Sequence, residues 1–152
     1  MSVNYIRQYL STDDLHEIQS EISKVEKSTS GELRLCLRKS RGLFEKKFTP
    51  REIAVNEFHK LGMHNTDEKT GVLIFILFSD RKFEIVADEG INSKIPEEKW
   101  ELITSRLRNE FSSENYKNGI LLCLNEIKDI LAREFPYKEG DKNELSDEIV
   151  IE

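Results

Sequence analysis

The sequence predicts a three-layer α/β/α sandwich around a small mixed sheet, with the element order α-β-α-β-β-α-α. Three observations predict it. Val72-Leu-Ile-Phe-Ile-Leu-Phe78 is apolar at every position, the mark of a central strand covered on both faces. Segments with helical spacing of apolar residues lie before and after it, enough to cover both faces. The 152 residues fit one domain that can bury a core without disulfides or structural metals.

Ser11 caps the first helix, with Asp13 and Asp14 near its positive end. Leu15, Ile18, Ile22 and Val25 form its apolar stripe, and Ser28 to Gly31 stop it. Leu33-Arg-Leu-Cys-Leu-Arg38 alternates, as a strand with one buried face does. Lys39 to Lys47 reads as a basic loop, solvated or able to hold a phosphate. Thr49-Pro50-Arg51-Glu52 is a capping box with proline in the first helical position. Ile53, Val55, Phe58 and Leu61 supply the apolar side of that second helix, and Gly62 ends it.

After a polar loop, His64 to Gly71, the apolar run forms the second strand. Ser79-Asp80-Arg81 is a turn, and Lys82 to Ala87 pairs back as a hairpin. Pro96 starts the third helix, whose stripe is Trp100, Ile103, Leu107 and Phe111. The fourth helix runs from Tyr116 to Phe135, where Pro136 stops it. The chain therefore divides into a domain over 1–136 and an acidic tail over 137–152, expected to wrap the surface or fray.

A net charge of −6 argues against a nucleic-acid backbone as partner. The two cysteines, Cys36 and Cys123, lie in apolar patterns and suit buried thiols in a reducing compartment. The start of the chain lacks a signal pattern, and the longest apolar run is too short to span a bilayer. The expectation is a cytoplasmic protein without a membrane partner. His59 and His64 read as surface histidines. The segment from Asp141 to Glu152 has calcium-hand length but carries Ser146 where glycine is needed and Leu145 at an acidic position. No phosphate-cradling glycine motif and no GxSxG elbow is present.

Topology points to a site. Strands one and two are joined through a helix and so run parallel. Their amino ends share an edge with the carboxyl end of strand three. Thr29-Ser-Gly-Glu32, His64 to Glu68 and Asp88-Glu-Gly-Ile91 should converge there. That gathers Glu32, Asp67, Glu68, Asp88 and Glu89, with Ser30, Asn65 and Thr66 as neutral oxygen donors. Such oxygens are the ligands of a hard cation such as calcium or magnesium. The same residues also suit turns and caps on a solvated edge.

On these residues the chain resembles the TPM domain family. The stretches are Thr29-Ser-Gly-Glu-Leu-Arg34, Phe58-His-Lys-Leu-Gly-Met-His-Asn-Thr66, Gly71-Val-Leu-Ile-Phe75 and Phe83-Glu-Ile-Val-Ala-Asp-Glu-Gly-Ile91. Trp100, Tyr116-Lys-Asn-Gly-Ile120 and Phe135-Pro136 continue the likeness, which runs from about Leu10 to Pro136. It is closest to the short, single-domain bacterial type. The resemblance implies an α/β/α sandwich that binds a divalent cation, notably calcium, in loops at one sheet edge. Glu32, Asp88 and Glu89 are the first metal ligands it implies, and Asp67 the next. Plant thylakoid-lumen relatives are described as acid phosphatases linked to photosystem repair. The leading expectation is thus a regulatory or structural cation-binding domain. Alternatives are a metal-assisted acid phosphatase and a metal-independent module for an unknown protein partner, the last suggested by the basic loop and the acidic tail.

Overall fold

In the computed structural model, which describes residues 4–140 and 146–152, a 3-10 turn over Asn4–Gln8 buries Tyr5 and Ile6 ahead of the first helix. Helix α1 (Thr12–Ser28) then opens on a full capping box. The Ser11 Oγ accepts from the Asp14 N–H at 3.0 Å, and Asp14 Oδ2 accepts from the Ser11 N–H at 2.9 Å. Strand β1 (Glu32–Arg38) follows. Helix α2 (Pro50–Lys60) begins with the predicted box, Thr49 and Glu52 exchanging bonds of 3.1 and 2.9 Å. Strands β2 (Gly71–Leu77) and β3 (Lys82–Ala87) form the hairpin. A single helical turn, α3 (Glu89–Asn92), precedes α4 (Glu97–Ser112) and α5 (Tyr116–Glu134). Strand β4 (Val150–Ile151) closes the sheet in the order β3-β2-β1-β4.

The pleat divides the core in two. Leu33, Leu35, Leu37, Val72, Ile74 and Ile76 face one side, against Ile18 and Ile22 of α1, Ile103 and Leu107 of α4, and Ile120 and Leu124 of α5. Cys36, Leu73, Phe75 and Leu77 face the other, against Ile53, Ala54 and Phe58 of α2. β2 is buried at all seven positions, as its unbroken apolar run requires. Each such side chain contributes about 1.5–3 kcal/mol of hydrophobic stabilisation.

Two features depart from the sequence reading. The tail does not simply wrap or fray, although its residues 141–145 lie outside the described residues. Its far end returns as β4, parallel to β1, with Cys36 opposite Val150 and Leu37 opposite Ile151. The Gln19 amide of α1 receives it, donating to the Asp147 carbonyl at 2.8 Å and accepting from the Ile149 N–H at 3.0 Å. The second departure is α3, where the sequence ends the strand in a plain loop. Asp88 turns the chain into a helix by accepting the Glu89 N–H at 2.8 Å.

Side chains occupy backbone groups along β3 and at the start of β1. On the outer side of β3, Arg51 donates to the Ile85 carbonyl at 2.6 Å and Asn92 to the Ala87 carbonyl at 2.8 Å. Beside β1, short of where β4 begins, Glu26 accepts the Leu33 N–H at 3.3 Å. No helix among the described residues is long and apolar enough to cross a membrane.

Candidate functional site

The parallel register sets Glu32 opposite Gly71, and the hairpin sets Val72 opposite Ala87. The Glu32 N–H donates to the Thr70 carbonyl at 3.0 Å, and the Asp88 N–H to the Gly71 carbonyl at 2.9 Å. The three predicted loops therefore meet at the amino edge of the parallel strands, as the topology requires.

Contact is tightest between the second and third loops. A Cβ added at Gly90 would lie 2.2 Å from the Glu68 carbonyl oxygen and 2.5 Å from that of Lys69. Only glycine allows this approach, so the position is fixed by sterics. Lys69 holds a left-handed φ of 57°, and its ammonium donates to the His64 carbonyl at 2.8 Å. The buried Thr66 hydroxyl accepts from the Thr70 N–H at 3.0 Å. These contacts bring two backbone carbonyl oxygens against the first turn of α3.

Asp88 is the acid at the centre of this edge. Its Oδ1 caps α3, while its Oδ2 is buried and has no hydrogen-bond partner among the described residues. A buried carboxylate oxygen without a donor is costly, and a cation is one way to satisfy it. Asp67 and Glu89 are exposed at the rim. Glu68 is exposed too, and its carboxylate meets Lys138 at 3.1 Å.

Glu32 behaves differently. Its backbone reaches the edge, but the residue is only 2% exposed, and its carboxyl shares a hydrogen bond with Glu26 on α1. Burial, then the neighbouring Glu32 charge, pushes Glu26 up to about 8. The Glu32 carboxyl is therefore engaged in a proton-sharing pair beside α1. The first loop is engaged elsewhere as well. Thr29 donates its hydroxyl to the carbonyls of Leu131, at 3.1 Å, and Phe135, and the Ser30 N–H donates to Phe135 at 3.0 Å.

A second cluster escapes the sequence reading. Cys36, Glu57 and Glu152 bring one ligand atom each within 4.8 Å of one another. The Cys36 thiol lies 3.6 Å from Glu57 and 3.5 Å from Glu152. Arg38 reaches Glu57 at 3.5 Å and Glu152 at 3.8 Å, and Lys60 reaches the same two carboxylates at 3.8 and 3.5 Å. Burial, then the hydrogen bond it donates to Glu152, pushes Glu57 up to about 7, while accepting that bond lowers Glu152. One proton is thus held between the two acids. Two cations already neutralise the cluster, and burial pushes the Cys36 thiol far up, so it keeps its proton. Its positions, 36, 57 and 152, carry no spacing signal. One clue was available: Glu57 falls four residues after Ile53, on the buried stripe of α2.

The remaining candidates resolve simply. Burial likewise pushes up the Cys123 thiol, so neither cysteine is a poised nucleophile. Arg41 of the basic loop pairs with Asp80 at 2.9 Å and donates to the Glu45 carbonyl at 3.1 Å. His59 is exposed, but His64 is half-buried and stacks near it, with ring centroids 4.9 Å apart.

Comparison with known proteins follows the fold. Residues 3–130 match the TPM domain. The chain is similar to the BA42 protein of the psychrophilic bacterium Bizionia argentinensis, at 31% identity over 93% of this chain and 94% of that one, with a TM-score of 0.83. The N-terminal domain of a P. gingivalis protein superposes at a TM-score of 0.70, with 16% identity over 87% of this chain and 83% of that one. The N-terminal domain of the cg2496 protein from Corynebacterium glutamicum gives 0.60, with 13% identity over 80% and 74%. At such identities the last two show a shared fold alone. No curated protein matches the chain.

Proposed function

Because the chain belongs to the TPM domain family, we propose that it is a divalent-cation-binding domain whose ion sits at the amino edge of the sheet, in a structural or regulatory role. The observation that carries this reading is the buried, unsatisfied Oδ2 of Asp88, two residues from the glycine that packs against the Glu68 and Lys69 carbonyls. A carboxylate beside backbone carbonyls is a hard-oxygen donor set, suited to calcium or magnesium. Asp88 would hold the ion, with Glu68 and Lys69 offering carbonyl oxygens. Asp67 and Glu89, exposed at the rim, would draw the ion in or bind it through water. Glu32 stands outside this set because its carboxyl is committed to Glu26.

Calcium titration of isotope-labelled protein, followed by amide shifts, tests the proposal. Asp67, Asp88, Glu89 and Gly90 should move, Asp88→Asn should abolish the response, and Glu32→Gln should retain it. Unmoved amides at millimolar calcium and magnesium would end the proposal, as would an intact response in Asp88→Asn.

A further inference from the structure

At the opposite end of the same strands lies a cavity of about 260 Å³. It opens where β2 leaves the sheet and β3 enters, outside the carboxyl end of a parallel strand. Seven residues of β2 separate it from the amino edge, a span of about 20 Å. A ligand here is therefore out of contact with an ion held near Asp88.

The lining has two parts. Tyr9, Phe78, Phe83, Phe111 and Tyr116 supply aromatic surface. Their rings support one another: Tyr9 stacks on Phe78 at 4.1 Å, and Phe111 meets Tyr116 edge-on at 5.1 Å. Arg81, Lys82 and Arg108 supply the cations, against one acid, Glu114. None of the three cations pairs with a carboxylate among the described residues. Arg38, Arg41 and Arg51, by contrast, are held by carboxylates. Arg108 lies over the Phe83 ring at 5.9 Å, which orients its guanidinium at the aromatic wall.

Two backbone features favour a negative group at this place. Tyr116 is the first residue of α5, a helix of 19 residues that begins without a side-chain cap. Its positive end lies at the cavity wall. Arg81 holds a left-handed φ of 53°, a conformation glycine or asparagine adopts at less cost. An arginine kept there places a guanidinium at the mouth.

We propose that this cavity binds a small aromatic anion: one planar ring against the tyrosine and phenylalanine wall, its phosphate or carboxylate held by Arg81, Lys82 and Arg108. The volume sits just below the range typical of drug-sized ligands, so it suits a single ring with one charged group. Arginine forks match phosphate and carboxylate oxygens two at a time. The site stands apart from the cation edge, and each can fail alone.

Amide-shift titration of the full chain with phenyl phosphate, benzoate, inorganic phosphate and benzyl alcohol tests it. The ring-bearing anions should shift Phe78, Phe83, Arg108 and Tyr116, and bind at least tenfold more tightly than inorganic phosphate or benzyl alcohol. Phenyl phosphate against benzoate then tells which anion the forks prefer. Arg81→Gly relieves the left-handed backbone and so removes a cation without threatening the fold. It and Arg108→Gln should each weaken binding about fivefold or more at a melting temperature no lower than the parent's. Equal affinity for inorganic phosphate would reduce the site to surface charge, and equal affinity for benzyl alcohol would reduce it to an apolar slot. Either result overturns the proposal, as do variants that bind like the parent. Asp88→Asn should leave the aryl anion affinity untouched.

Discussion

Replacing Glu57 by glutamine should change how stability depends on pH. Glu57 is 2% exposed and held up at about 7 by burial and by Glu152. In an unfolded chain it would titrate near 4.5. Between those values the folded state binds more protons than the unfolded state, so stability falls as pH rises through the window. Each pH unit of that window is worth about 1.4 kcal/mol, which sets a ceiling of about 3 kcal/mol lost between pH 4.5 and pH 8. The lowered Glu152 acts with the opposite sign, and its contribution disappears only as pH falls below the window. Glutamine is nearly isosteric with the protonated acid and cannot titrate. Glu57→Gln should therefore match the parent near pH 5 and exceed it at pH 8 by about 1–3 kcal/mol. In a domain of this size that is a gain of about 3–10 °C in melting temperature relative to the parent. The Glu26–Glu32 pair titrates in both proteins and cancels in the comparison. Thermal unfolding by circular dichroism from pH 5 to 8 measures the gap. A gap that stays constant across that range would refute the shared proton.

Gly90→Ala forces a Cβ to within 2.2 Å of the Glu68 carbonyl; it should cost about 1–3 kcal/mol in urea unfolding and abolish the calcium response. Gln19→Ala removes both bonds that seat the tail strand. It should cost about 1–2 kcal/mol, and hydrogen exchange at the Glu152 amide should quicken far more than at Ile74. Asp88→Asn keeps a good capping residue on α3, so its melting temperature without metal should stay within about 2 °C of the parent while its calcium stabilisation disappears.

Much of this architecture was legible because its signals are local. Ser11 and Thr49 announce helix starts, Pro136 announces an end, and the Val72–Phe78 run identifies the covered strand. The helical crossover between two parallel strands, followed by a hairpin, then placed three separate loops at one edge, and the registers of Glu32 with Gly71 and of Val72 with Ala87 agree with that placement. What stayed hidden was decided at a distance. Val150–Ile151 is too short to register as a strand, and becomes one because β1 and the Gln19 amide, more than a hundred positions earlier, receive it. The backbone of Glu32 lies at the expected edge, and its side chain has a partner, Glu26, that the sequence reading did not foresee. Whether the first residue of a strand faces a loop or a helix depends on what that helix carries, here Glu26. The cluster of Cys36, Glu57 and Glu152 was invisible for the same reason: its third member arrives on the returning tail.

The side chains along the margins of the sheet have a consequence for how copies of this protein meet. A bare strand margin is a template on which a second chain can build, the usual route to edge-to-edge aggregation. Here the carbonyls of Ile85 and Ala87 are occupied by Arg51 and Asn92, and the N–H of Leu33 by the Glu26 carboxyl. An incoming strand would have to displace a guanidinium along β3 or a carboxyl pair beside the start of β1. The β3 margin is therefore a poor seed for extension of the sheet. Self-association, where it occurs, should run through the exposed Leu43–Phe44 tip of the basic loop, and serine at both positions should suppress it without cost to the fold.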